Sequence, residues 1–192
     1  MRDVNDRRIG VVIALAVGSA WGFLSVLAFA QPDPFTPIRF IDYLAVVSFS
    51  VALAVLAPAA WLIARVAGGA FWRGLGGIIR GTAIILAVGG LMAGFGNLIE
   101  DGLQMKEVGG ALFSIGLGGI FIGLLGMTFA LALGGRWALA GLCAVTFGGM
   151  LASQQYASGL IVMAVWYAFA VWLWRGRSDP NDFRTGPDLE ET

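Results

Sequence analysis

The sequence predicts an all-α integral membrane protein, a polytopic bundle of six transmembrane helices with both termini cytoplasmic. Three observations predict it. The 192 residues are 58% apolar and only 12% charged, where a soluble domain carries about a quarter charged residues. Six apolar runs follow one another along the chain. Positive charge falls on alternate sides of these runs. A water-soluble fold of this size cannot hide so much apolar surface, whereas lipid accepts it.

The first span is Ile9 to Ala30, 22 residues without a charge. At 1.5 Å per residue it covers about 33 Å, enough for a hydrocarbon core of roughly 30 Å. Ala28-Phe29-Ala30 resembles a signal-peptide cleavage site. The run is nevertheless longer than the usual apolar region of about 7 to 15 residues, so an uncleaved span is expected. The second span runs from Tyr43 to Ile63. Pro58 should kink it, and Ala59 and Ala60 leave room for a neighbour. The third runs from Ile78 to Ile99, and the fourth from Val108 to Leu133, long enough to tilt. The fifth (Trp137 to Ser153) and sixth (Gly159 to Trp174) are short and lie close together in sequence. Residues 1–177 thus form one transmembrane domain. Residues 178–192, polar and proline-containing, are expected to be a disordered cytoplasmic tail.

Charge chooses six spans over four spans plus a re-entrant pair. Arg2, Arg7, Arg8, Arg65, Arg73, Arg80, Arg136, Arg175, Arg177 and Arg184 fall on one side, and only Arg39 and Lys106 on the other. The positive-inside rule puts the first side in the cytoplasm. Eleven arginines against one lysine suggest a GC-rich coding sequence, and with it a bacterial plasma (inner) membrane.

The connections differ in character. Pro32, Pro34 and Pro37 make 31–40 a stiff extended outer loop. In 70–80, apolar Phe71, Trp72, Leu75, Ile78 and Ile79 alternate with Arg73 and Arg80, as in an interfacial stretch. Gly74, Gly76 and Gly77 weaken a helix there. Trp137, Trp172 and Trp174 form an aromatic belt beside Arg136 and Arg175. Trp21 and Trp166 lie deeper, as packing residues.

The 29 glycines say how the spans pack. Gly116, Gly119, Gly123 and Gly126 recur on one face of span four, and Gly90 and Gly94 form a GxxxG pair in span three. Lipid supplies no hydrophobic drive between helices, so close backbone approach must supply the attraction. Spans three and four are the expected centre. The same smooth faces also suit another subunit. Gly-Gly pairs at 89–90, 118–119 and 148–149 read as coincidence in so glycine-rich a chain.

Chemistry is mostly absent. The chain has no histidine and one cysteine, Cys143. That removes His-ligated haem, ordinary zinc sites, Ser-His and Cys-His nucleophiles, and any intrachain disulfide. No catalytic residue, metal or cofactor is expected. Net charge is zero, which argues against nucleic acid. No charge lies mid-span, where an acid costs roughly 2.5–3.5 kcal/mol and is kept mainly for ion or proton work. The mild polar residues Ser19, Ser25, Ser48, Ser50, Thr82, Ser114, Thr128 and Thr146 can bond back to their own helices.

One constellation stands out. Asn97, Glu100, Asp101 and Gln104 follow at i, i+3, i+4 and i+7 and share a face if the helix continues, the face of Gly90 and Gly94. Lys106, Glu107, Asp33, Asp42, Gln154 and Gln155 belong to the same outer side. Such groups can bind a cation or an amine, or form a pore vestibule. The bland alternative is a solvated helix end.

The first functional expectation is therefore a non-catalytic accessory, assembly or regulatory subunit, with lipid and either a partner membrane subunit or further copies of itself as partners. The second is a small channel or transporter for a cation or amine, with an acidic entrance at Glu100 and Asp101. A lipid-modifying enzyme at Glu100 and Asp101 comes third, because no nucleophile accompanies them. Gly119→Leu should disrupt packing or assembly. The expected outcome is a lowered melting temperature in detergent or an altered oligomeric state, and a variant unchanged in both contradicts the packing role.

Overall fold

The computed structural model describes residues 4–30, 32, 34–67, 73–152 and 158–175. These residues form α1 (Val4–Ala28), α2 (Phe40–Ala54), α3 (Leu56–Ala67), α4 (Arg73–Asn97), a π-helical turn (Leu98–Gly102), α5 (Lys106–Leu133), α6 (Trp137–Leu151) and α7 (Ser158–Trp174). The expected tail, and Asp33, Phe71, Trp72, Gln154 and Gln155, lie outside the described residues.

Four stretches are long and apolar enough to cross a membrane: Asn5–Ala28, Phe40–Ala67, Leu75–Gly102 and Lys106–Leu133. The other two expected spans fall short of that length. α6 has 15 residues and α7 has 17, or about 22 and 25 Å against a hydrocarbon core of roughly 30 Å. The outer surface is as apolar as the core. Val12, Ile84, Phe95, Ile115, Ile122 and Phe129 are exposed, while Leu53, Leu86, Ile120 and Leu124 are fully buried. Helices apolar on every side suit a membrane bundle.

α4 is the central helix. It makes the most extensive helix–helix contact with α5 and also packs on α2 and α3. Glycine permits both contacts. Side chains on Gly116 and Gly96 would run into the facing backbone at Ala93 and Phe113, and on Gly123 into Leu86 at 2.6 Å. Gly126 meets Thr82 and Gly119 meets Gly89. On the other side of α4, Gly90 and Gly94 lie against the carbonyls of Leu53 and Ser50, each 2.7 Å from where a Cβ would sit. The pair Gly89-Gly90 thus serves two neighbours, α5 and α2. In the pair 118–119, Gly118 faces open space.

These pairings fix the chain direction. In α4–α5, early residues of one helix meet late residues of the other, from Thr82–Gly126 to Gly96–Phe113. α7 runs antiparallel along α1: Gly159 meets Ser25, Met163 meets Gly22, and Tyr167 meets Gly18. The start of α1 therefore shares an end of the bundle with the finish of α7. Arg65 of α3 joins that end through its 2.5 Å ion pair with Asp6. Arg39 and Lys106 lie at the opposite end, the one that the charge pattern predicts to be the outer end.

Several expected details change. The second span is two helices, broken at Val55. Pro58 has no N–H to donate to Ala54, so the first helix ends there. Ala59 and Ala60 beside it are buried. Residues 73–80 are the first turns of α4 rather than a separate interfacial stretch. Buried Ile79, Ala83 and Leu86 form one helical stripe, and that packing overrides the poor propensity of the glycines. α1, described from Val4, extends before the expected span start at Ile9. Ser48, Ser50, Thr82, Thr128 and Thr146 do donate to their own helix carbonyls. Ser19 instead pairs with the Tyr167 hydroxyl at 2.8 Å. Buried Trp166 donates to Thr146 Oγ1 at 3.0 Å, linking α6 to α7.

Two alanine substitutions in one helix separate packing from propensity. Gly116→Ala should cost about 1–3 kcal/mol through overpacking. Gly118→Ala should be neutral or stabilise by up to about 1 kcal/mol. Thermal unfolding of both purified variants checks the opposite signs.

Candidate functional site

The end of α4 does not continue as expected. Its last turn widens to a π-helical turn, with Leu103 N donating to Leu98 O at 3.0 Å. Gln104 then takes a left-handed conformation, φ 58°, a common way for a helix to end but one that a residue with a side chain adopts at some cost. Its Nε2 donates to the Asp101 carbonyl at 2.6 Å, so Gln104 closes the helix and does not extend a stripe. Gly109 allows this turn to lie against α5, because a side chain there would strike the Glu100 backbone.

The widened turn separates the four residues. Asn97 faces α2: its Nδ2 donates to Val46 O at 3.2 Å and to Ser50 Oγ at 2.9 Å. Glu100 faces the start of α5, with its carboxylate beside Gly110. Asn97 and Asp101 are 5% and 8% exposed, Glu100 is half-buried, and Gln104 is exposed. Asn97, Glu100 and Asp101 border one cavity of about 730 Å³ at the outer end of the bundle. Its walls come from α1, α2, α5, α6, α7 and the proline-containing loop, and include Trp21, Phe49, Phe113 and Phe121. The volume lies in the range of ligand pockets, about 300–1,000 Å³.

The other expected outer polar groups are elsewhere. Asp42, 2% exposed, binds Arg39 through its backbone N–H at 2.8 Å and its guanidinium at 2.8 Å. It thereby starts α2 and stays out of the cavity. Lys106 and Glu107 are exposed in the first turn of α5. Among the described residues no three His, Cys, Asp or Glu side chains converge to hold a metal ion. Sequence reasoning missed the aromatic walls and the roles of Gly109 and Gly110. The adjacent glycines directly after Val108 were the available signal. Trp21, 1% exposed, also borders the cavity, and its Nε1 has no acceptor among the described residues.

No family model, curated protein or solved structure matches this chain. The reading of its function therefore rests on its own residues.

Asn97→Leu removes two hydrogen bonds to α2 from a buried position. The expected loss is about 1–2 kcal/mol, the usual worth of such bonds between helices in a membrane. Chemical denaturation in detergent, with Asn97→Gln as a partial replacement, measures it.

Proposed function

We propose that this chain is a non-catalytic membrane protein of six spans, with both termini in the cytoplasm of a bacterial cell, acting as an accessory, assembly or regulatory subunit. The carrying observation is the interior beneath the outer cavity. There Leu53, Leu56, Leu86, Ile120, Leu124 and Met127 close the bundle as an apolar core. Such a core holds a shape and offers an ion no path. The outward face of α6 adds support. Ala138, Gly141, Ala144 and Gly148 are exposed there, with open space beside Gly141 and Gly148, which suits close approach by a neighbouring helix. For six spans, the support is the level of α7 along α1 and the shared end of the basic residues.

The second reading, a small channel or transporter for a cation or amine, is favoured by one observation, the cavity bordered by Glu100 and Asp101. Cation flux in liposomes, with Glu100→Gln as the comparison, tests it.

Mild-detergent purification from the native membrane tests the subunit reading, and a stoichiometric partner protein is the expected outcome. Recovery of the chain alone as a monomer overturns it. Topology is checked in a Cys143→Ala background with single cysteines at Arg39, Arg136 and Gln155. An impermeant maleimide should label positions 39 and 155 from outside and leave 136 unlabelled. Protection of position 155 instead indicates four spans and a re-entrant pair.

A further inference from the structure

We propose that the outer cavity binds an amphiphile headed by a protonated primary amine, with the ammonium between Glu100 and Asn97 and the apolar body along Trp21, Phe113 and Phe121. This needs the membrane-embedded bundle proposed above but not the subunit role.

On the α4 side of the cavity Asn97 and Glu100 present acceptors, while the Trp21 indole N–H and the Ser25 hydroxyl lie across it on α1. Ser50 donates its hydroxyl proton to Val46 O at 2.9 Å, so its oxygen can only accept from Asn97. Val46 O is likewise an acceptor. Both contacts therefore require the amide nitrogen of Asn97, which fixes the amide orientation. Oδ1 is left on the opposite side, with no donor among the described residues, on a side chain more than nine-tenths buried that borders the cavity. An amide oxygen at a cavity wall has lone pairs open to a donor from an occupant. The Glu100 carboxylate also has no hydrogen bond or ion pair with any described residue. The missing side chains at Gly109 and Gly110 leave it uncovered on the α5 side.

An occupant must therefore bring N–H or O–H donors, and the carboxylates favour positive charge. A bare hard cation is a poor match, since calcium takes about six to eight oxygen ligands. A quaternary ammonium has no N–H to offer Oδ1. A fatty acid brings a third carboxylate to two others. A primary ammonium donates to both acceptors on the α4 side.

The depth asks for an apolar body. Glu100 is level with Gly109, and the wall reaches Phe121 further along α5, about 18 Å at 1.5 Å per residue. Aromatic and aliphatic side chains line that length, and burial of a hydrocarbon chain contributes about 0.8 kcal/mol per methylene. An aminolipid and a free long-chain amine share this chemistry.

The test uses the full chain in phosphatidylcholine nanodiscs, with empty discs subtracted. Decylamine and decanol are titrated by calorimetry and by thermal shift. Saturable binding of decylamine about tenfold or more tighter than decanol is expected. Glu100→Gln should abolish that preference while leaving decanol binding in place. Equal affinity for amine and alcohol, no saturable binding of decylamine, or an unchanged preference in a folded Glu100→Gln variant overturns the proposal. Should that variant fail to fold, the wild-type comparison decides alone. Adding phosphatidylethanolamine to the discs distinguishes the sources: competition identifies an aminolipid, and no competition a free amine. A co-purified partner protein bears on neither result, so this proposal and the subunit reading fail separately.

Discussion

Close approach of backbones at α4 is the constraint on which the rest of this structure depends. A helix surrounded by apolar groups gains nothing from hiding them from lipid, so attraction must come from dispersion and polar contacts at short range. α4 meets that need on two sides. Gly89 and Gly96 admit α5, while Gly90 and Gly94 admit α2. Each neighbour then carries others: α5 holds α6, and α2 and α3 hold α1, which holds α7. Hydrogen bonds add direction to contacts that are otherwise smooth. Asn97 ties α4 to α2, and Trp166 ties α7 to α6.

The outer cavity is a consequence of how α4 ends. Had the helix kept its pitch, Asn97, Glu100, Asp101 and Gln104 would line one stripe against one neighbour. The widened turn sends Asn97 toward α2 and Glu100 toward α5, and a space opens between them. π-helical turns are uncommon and often accompany function. Here the turn sets apart two acceptors that a regular helix would stack, and Gln104 ends the helix behind them.

The helical class and the basic end of the bundle were legible because they depend on composition and on residue order alone. The glycines of α5 were legible because one face of a regular helix repeats at a fixed interval. The break at Val55 was half legible, since Pro58 announces a disturbance but not its position. What escaped depends on contacts between distant residues. Nothing near Trp21 or Phe113 indicates that they border one space, and nothing at Asp42 indicates that Arg39 occupies it rather than Glu100's neighbourhood. Residues 73–80 misled for a related reason: glycine propensity is local, and the packing of Ile79 and Ala83 that overrides it is not.

The unequal helix lengths have a consequence for the surrounding lipid. α5 is about 42 Å long and α6 about 22 Å, from 28 and 15 residues at 1.5 Å each. A bilayer that matches one flank of the bundle is too thick for the other. In the proposed six-span arrangement, acyl chains beside α6 and α7 shorten or tilt, at a modest cost for each ångström of mismatch. A six-span bundle of this kind carries a lopsided elastic field, deepest along α6 and α7. Two such dimples relax when they overlap, which draws thin-edged proteins together before any side chain touches.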